Sequence, residues 1–462
     1  MSRRVPAPSG KALYRVLPPG RQVMSPDRRA LNQRARLQGA MVAAVAQSGY
    51  ADTTIKQIVS LAGVSRTTFY RHFAGKEQCF LATYDMIATM ATERISRAYR
   101  EPSGWHERLQ AGFRYFAEIV VIERDASHLV LVDALGAGHR VLEHRDRMIG
   151  VFELMFRQSF QDAPEPALVT DTTIRAIVSG IRRVAYRRLL RGEPEKLNDV
   201  IEDLLAWAIA YHTPDVNPPL RPPITLSEGA PHLHQALKES VIPPLDPIQA
   251  RTTHTHRERI LHAVVSISSE GGYPALSIPA ISAAAGISNE AFYENFTDKQ
   301  DAFLTAFREA TKRALAPATQ AFQAAPTWPQ AAHDSIATLL QFIAGDPVFA
   351  RLGFFEILTG GPAAIDLAEK TLDAFGIMFQ PGHEQHPHVP AVASEAIVGG
   401  IWNIIQYEIG HGRANQLPEL APELTYITLT PFIGAQQAAQ LVIDLAGEAN
   451  PTSAESGRAR NR

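Results

Sequence analysis

Apolar residues recur along this chain at intervals of three and four, and the period-two alternation of half-buried strands is scarce. Leu37, Met41, Ala44 and Val45 form one such stripe, and Phe113, Phe116, Ala117 and Val120 form another. The pattern predicts an all-α protein. A first helix is expected over 28–47, ended by Gly49, a residue free to take the conformation found just past a helix terminus. Thr54-Ile-Lys-Gln57 has capping-box spacing and opens a second, short helix that stops at Gly63. Ser65 then caps a third over 66–72, and Lys76 begins a fourth. Two short helices joined through Ala62-Gly63-Val64-Ser65 make a helix-turn-helix, because glycine permits the sharp change of direction.

This pattern occurs twice. Gly49-Tyr50 and Gly272-Tyr273 lie 223 residues apart, and the same offset pairs Arg36 with Arg259, Ile58 with Ile281 and Ser65 with Ser288. It also pairs Ala62-Gly63 with Ala285-Gly286 and Phe69-Tyr70 with Phe292-Tyr293, then runs through Lys76 and Lys299 to Trp105 and Trp328. Further on the offset becomes 220, where Ala176-Ile-Val-Ser-Gly-Ile181 faces Ala396-Ile-Val-Gly-Gly-Ile401. An ungapped match of this length marks an internal duplication of a whole half, not of one motif. The expected order is a disordered tail (1–26), a helix-turn-helix domain (27–86) and a helical domain (87–212). A Pro-rich linker (213–250) follows, with one helical turn at 233–238. A second helix-turn-helix domain (251–310), a second helical domain (311–447) and a tail (448–462) complete it.

Candidate chemistry sits on the third helix of each copy. Phe69 and Phe73 take its inner side, which turns Arg66, Thr67, Tyr70 and Arg71 outward. Arg can bond guanine bidentately, Thr can meet a thymine methyl, and Tyr can meet phosphate. Lys76 begins the next helix, where an ammonium and free backbone N–H groups can hold a further phosphate. The 462 residues exceed what one core supports, and a net charge of −2 requires any basic surface to be local. Residues 27–85 hold eight basic and four acidic side chains, whereas 251–308 hold five and six. The second copy should therefore bind a polyanion more weakly. Arg3, Arg4, Arg15 and Arg21 read as a solvated tail rather than a minor-groove arm, and Arg183, Arg187 and Arg191 as a solvated helix face.

Other classes are disfavoured. The single cysteine, Cys79, excludes a disulfide framework and a cysteine-based zinc site. Residues 1–10 lack the apolar run of a signal peptide, and no apolar run spans a bilayer, so a cytoplasmic protein without membrane partners is expected. No P-loop, metalloprotease helix, nucleophile elbow or dinucleotide fingerprint occurs, so no enzyme and no cofactor is assigned. His383, His386 and His388 have metal-like spacing but sit beside Gly382 and several prolines, in an expected loop, and no metal is assigned.

Gly49-Tyr50, Thr54-Ile-x-x-Ile58, Ala62-Gly63-Val64-Ser65, Thr68-Phe69-Tyr70-x-His72-Phe73 and Lys76-Glu77 stand in the order and spacing of one family. In them the sequence resembles the TetR/AcrR regulators of bacteria. The resemblance implies a ligand-responsive repressor of a double-stranded DNA operator, with contacts at Thr54, Arg66, Thr67, Thr68, Tyr70, Arg71, His72 and Lys76. Carried across the duplication, the same positions are Ser277, Asn289, Glu290, Tyr293, Asn295 and Lys299. It further implies that 105–212 and 328–430 bind an unknown small-molecule effector and dimerise. The dimerising helices would be 172–191 with 195–211, and 392–411 with 417–429. An effector pocket would lie among Phe113, Phe116, Phe152 and Phe156, or among Phe342, Phe354 and Phe355. One chain holds both partners of the usual dimer, so an intramolecular pseudo-dimer competes with a homodimer. The alternative function is a ligand- or protein-binding helical module whose DNA readers are vestigial.

Overall fold

The computed structural model describes residues 25–165, 169–212 and 255–448. The linker with its helical turn, nearly all of both tails and the four tail arginines lie outside these residues. Among the described residues every regular element is a helix. The first copy comprises α1 (Pro26–Asp52), α2 (Ile55–Ala62), α3 (Arg66–His72), α4 (Lys76–Arg100), α5 (Trp105–Ile122), α6 (Arg124–Leu131), α7 (His139–Gln161), α8 (Asp171–Leu190) and α9 (Leu197–Ile209). In the second follow α10 (His256–Gly271), α11 (Ile278–Ala285), α12 (Asn289–Tyr293), α13 (Lys299–Ala324), α14 (Trp328–Gly345) and α15 (Pro347–Arg351). Leu352–Glu356 is a π-helical turn. Then come α16 (Pro362–Phe375), α17 (Gln380–Gln385), α18 (Ala391–Gly410), α19 (Ala421–Ile433) and α20 (Ala435–Glu448).

Local chemistry sets the boundaries. Gly49 breaks the α1 ladder with φ 71°, leaving Tyr50–Asp52 as a last turn beyond the expected end. Thr54 and Gln57 form a complete capping box on α2: the Thr54 side chain accepts from Gln57 N–H, and Gln57 Oε1 accepts from Thr54 N–H at 2.8 Å. Gly63 closes α2 at φ 59° and Gly286 closes α11 at φ 63°, a left-handed geometry that costs any side chain with a Cβ. Two elements differ from the sequence pattern. His383 lies in the short helix α17 rather than in a loop, with His386 and His388 just beyond it. After α19, Gly434 turns the chain into α20, a separate helix that continues the apolar period past the break.

Contacts group the described residues into two compact units: those up to Ala163 with Ile181–Leu205, and those between Pro164 and Gly180 with those from Ala206 onward. The division cuts α8 and α9 rather than following the duplication. In the first unit Leu37, Met41, Ile58, Phe69, Phe73, Phe80 and Tyr84 form one buried core joining α1 to α4. The second unit repeats it with Ile260, Val264, Ile281, Phe292, Phe296, Phe303 and Phe307, each the counterpart at the 223 offset.

That second unit also contains the N-terminal part of α8, packed on α18. The backbones approach so closely that a Cβ on Gly180 would lie 2.6 Å from the Ala396 carbonyl oxygen. A Cβ on Gly400 would lie 2.7 Å from the Ala176 carbonyl oxygen. These are reciprocal contacts, since Ala176 and Ala396, like Gly180 and Gly400, are the same position of the two copies. Ser179 donates to Asn403 at 2.8 Å, the Tyr211 hydroxyl donates to the Ile427 carbonyl at 2.9 Å, and Thr170 donates to Glu423 at 2.6 Å.

Candidate nucleic-acid interface

The reading geometry follows from two N-caps and one buried edge. Ser65 Oγ accepts from Thr68 N–H at 3.1 Å and starts α3, and Phe69 and Phe73 then anchor that helix with 0% and 2% of their surface exposed. With those positions turned inward, Arg66, Thr67, Tyr70 and Arg71 stand exposed on the opposite side. The Arg66 guanidinium reaches the Tyr70 hydroxyl at 3.4 Å, so the two present one polar patch. Thr54, at the α2 cap, is exposed as well.

Three other residues implied by the resemblance are placed differently. Thr68 is buried, its hydroxyl 2.9 Å from Ser65 Oγ inside the cap. His72 is half-buried, with Nε2 3.2 Å from Gln33 Oε1. Burial and the neighbouring Arg34 and Arg71 hold its pKa down, which favours the neutral ring. The Lys76 ammonium turns back to the Gly49-Tyr50 corner, donating to the Tyr50 carbonyl at 2.9 Å and the Ala51 carbonyl at 3.0 Å over the Tyr50 ring. Burial lowers its pKa from the ordinary lysine value.

In the second copy the internal fittings recur. Ser277 and Ser288 cap α11 and α12, Lys299 donates to the Leu276 carbonyl at 2.9 Å over the Tyr273 ring, and Arg257 lies over Phe296 as Arg34 lies over Phe73. Arg36 donates to the Gly63 carbonyl, and Arg259 donates to those of Ala285 and Gly286. The exposed side is another matter: it presents Asn289, Glu290, Tyr293 and Glu294, and Asn295, just past the helix, turns its amide to the Ala291 carbonyl of α12.

One exposed cation escaped the sequence reading, and the anion site expected at the start of α4 differs between the copies. Lys56 is exposed on α2, where the second copy has Pro279. The N-terminus of α4 has no side-chain cap at Gly75, which leaves its first-turn N–H groups open to an anion, whereas Asp298 caps α13 with its own carboxylate. Aligning the copies at the 223 offset exposes both differences. A further contact belongs to the second copy: buried Glu356, paired with Arg351, accepts from the Tyr273 N–H at 3.3 Å and so ties the π-helical turn to the corner of the helix-turn-helix.

Of the expected effector residues, Phe113 and Phe156 are core, their rings 5.9 Å apart, while Phe116 and Phe152 are half-buried on the same helices. In the second copy an apolar cleft of about 100 Å³ is walled by α13 to α16, α18 and α19 and by the π-helical turn. Phe354 lines it. Phe342 and Phe355 do not, and Phe342 packs against the lining residue Phe349. His383 bonds Ser394 at 2.7 Å and packs on Phe432. Among the described residues no group of three His, Cys, Asp or Glu side chains is arranged to hold a metal ion. No described helix is long and apolar enough to cross a membrane.

One comparison with known proteins, the family model, agrees with this geometry. The family model "Bacterial regulatory proteins, tetR family" matches the chain at two places, residues 40–83 and 260–306. Both matches fall on the helix-turn-helix regions. Among solved structures, the fatty acid degradation regulator FadR from Bacillus halodurans aligns over 38% of this chain and 96% of its own, at 13% identity and a TM-score of 0.34. No curated protein matches the sequence.

Proposed function

Because the chain carries two tetR-family DNA-binding domains in tandem, we propose that it is a transcription regulator, an effector-responsive repressor whose first domain reads the operator. One observation carries this reading: Arg66, Thr67, Tyr70 and Arg71 are exposed together on α3, while its apolar residues are buried. A helix presented in this way enters the major groove, with Thr54, Lys56 and the open start of α4 close to the phosphates. The second domain, with Glu290 and Glu294 at the same places, adds little affinity of its own.

The two halves pair inside one chain as a pseudo-dimer. Reciprocal contacts of Gly180 with Ala396 and of Gly400 with Ala176 support this, because equivalent surfaces meeting each other are the signature of two-fold pairing. The 38-residue linker, 213–250, spans up to about 120 Å when extended and keeps the partners at high effective concentration. The operator would then be asymmetric, with one strong half-site. Regulation would come from an effector in the helical regions, 87–212 and 311–447, lowering DNA affinity by about 1–3 kcal/mol of coupling.

Selection of bound duplexes from a random pool tests the first claim: wild type should enrich one half-site, and Arg66→Ala with Arg71→Ala should enrich none. Light scattering tests the second. A mass near 50.6 kDa fits the pseudo-dimer, and a stable mass near twice that with a palindromic site rejects it.

A further inference from the structure

The cleft of the second copy has a wall that specifies its occupant. Aromatic rings line it from five helices and the π-helical turn, among them Phe307, Trp328, Phe349, Phe354, Phe375 and Trp402. No Asp, Glu, Lys or Arg lines it. A charged ligand would therefore lose its hydration with no counter-charge to replace it, whereas flat apolar rings find matching surfaces.

Hydroxyl groups on the wall sharpen this. Thr371 and Thr428 each donate to the carbonyl four residues back, at 2.9 and 2.7 Å, the ordinary use of a threonine inside a helix. Thr311, on α13, does not. Its Oγ1 is shielded from solvent and has no hydrogen-bond partner among the described residues, an unfavourable state unless something supplies one. Trp402 stacks on Phe354 at 4.2 Å, and Gln406, one turn further along α18, donates to the Phe354 carbonyl at 2.6 Å, so the aromatic wall is held in place rather than loosely packed.

We propose that this cleft takes an uncharged, ring-containing molecule with one oxygen acceptor, which Thr311 hydroxyl binds. The second copy is then the sensor of the chain, and the first copy is its DNA reader. The assignment rests on the effector-responsive reading above and adds the ligand class and its recognition residue.

Isothermal titration calorimetry of the full chain with three matched probes tests it: 2-acetylnaphthalene, naphthalene and 2-naphthoate. The ketone should bind best, naphthalene about tenfold more weakly for lack of the hydrogen bond, and the carboxylate at least about a hundredfold more weakly. Thr311→Val should bring the ketone down to the level of naphthalene and leave naphthalene unchanged, and Thr311→Ser should restore the difference. Equal binding of 2-naphthoate, a ketone indifferent to Thr311→Val, or no binding of any probe overturns the proposal. DNA affinity measured with and without the ketone separates the two claims. Binding that leaves DNA affinity unchanged supports the cleft and counts against the effector reading. Loss of probe binding with DNA binding intact removes the cleft and leaves the reader standing.

Discussion

The two helix-turn-helix domains of this chain are alike where they cannot be seen from outside and unlike where they can. Inside, the core positions keep apolar twins: Leu37 and Ile260, Ile58 and Ile281, Phe69 and Phe292, Phe73 and Phe296, Phe80 and Phe303. Outside, Arg66, Thr67 and Arg71 face Asn289, Glu290 and Glu294, Lys56 faces Pro279, and the bare Gly75 faces Asp298. Packing tolerates few changes in a close-filled interior, so both copies keep the same fold. A solvated helix face carries no such constraint, and there the copies have parted. The difference separates what makes a reading head from what makes it read.

Exchanging the faces should have the largest effect. The triple substitution Arg66→Asn, Thr67→Glu and Arg71→Glu should cost at least about a hundredfold in affinity and reduce the salt slope by about two, as two phosphate- or base-directed cations are lost. Fluorescence anisotropy on the selected duplex reads both. The converse graft, Asn289→Arg with Glu290→Thr and Glu294→Arg, should recover part of that affinity. If neither graft moves binding, the outward faces are not the reading surfaces and the comparison fails at its root.

Next come Gly180→Val and Gly400→Val. Each places a side chain against a carbonyl where no Cβ fits, and each should cost about 1–3 kcal/mol in urea denaturation. Because the contacts are reciprocal, the two costs should be similar. A large cost at one site and none at the other would argue against two-fold pairing.

Lys76→Met and Lys299→Met should each lower stability by about 1–2 kcal/mol, since each leaves carbonyls of the corner without their donor and removes an ammonium from a tyrosine face. The salt slope of DNA binding should stay unchanged for Lys76→Met. A slope lower by about one would return Lys76 to the phosphate contacts.

The smallest effect belongs to the caps. Ser65→Ala and Ser288→Ala should cost about 1 kcal/mol each, with Ser65 the larger because its hydroxyl also engages Thr68, where the second copy has Ala291. Equal costs would mean that the Thr68 hydroxyl contributes nothing to the cap.

Much of this was legible in the linear order of residues. The caps at Ser65 and Thr54, the turn at Gly63 and the inward Phe69 and Phe73 depend on partners three or four positions away, so local spacing determines them. The duplication and the charge contrast needed only counting. Tertiary structure decided the rest, because those outcomes depend on groups far apart in the chain. Lys76 finds its acceptors more than twenty residues back, a choice that no helical period encodes. Thr68 is hidden by its cap partner, and the cleft opens where the side chains of six helices fail to fill the space between them, which brings in Phe354 and leaves out Phe342 and Phe355. The approach of α8 to α18 has the same origin. Serine and glycine at 179 and 180 make close contact possible, and only the packing of α8 on α18 turns that possibility into the Gly180–Ala396 and Gly400–Ala176 contacts.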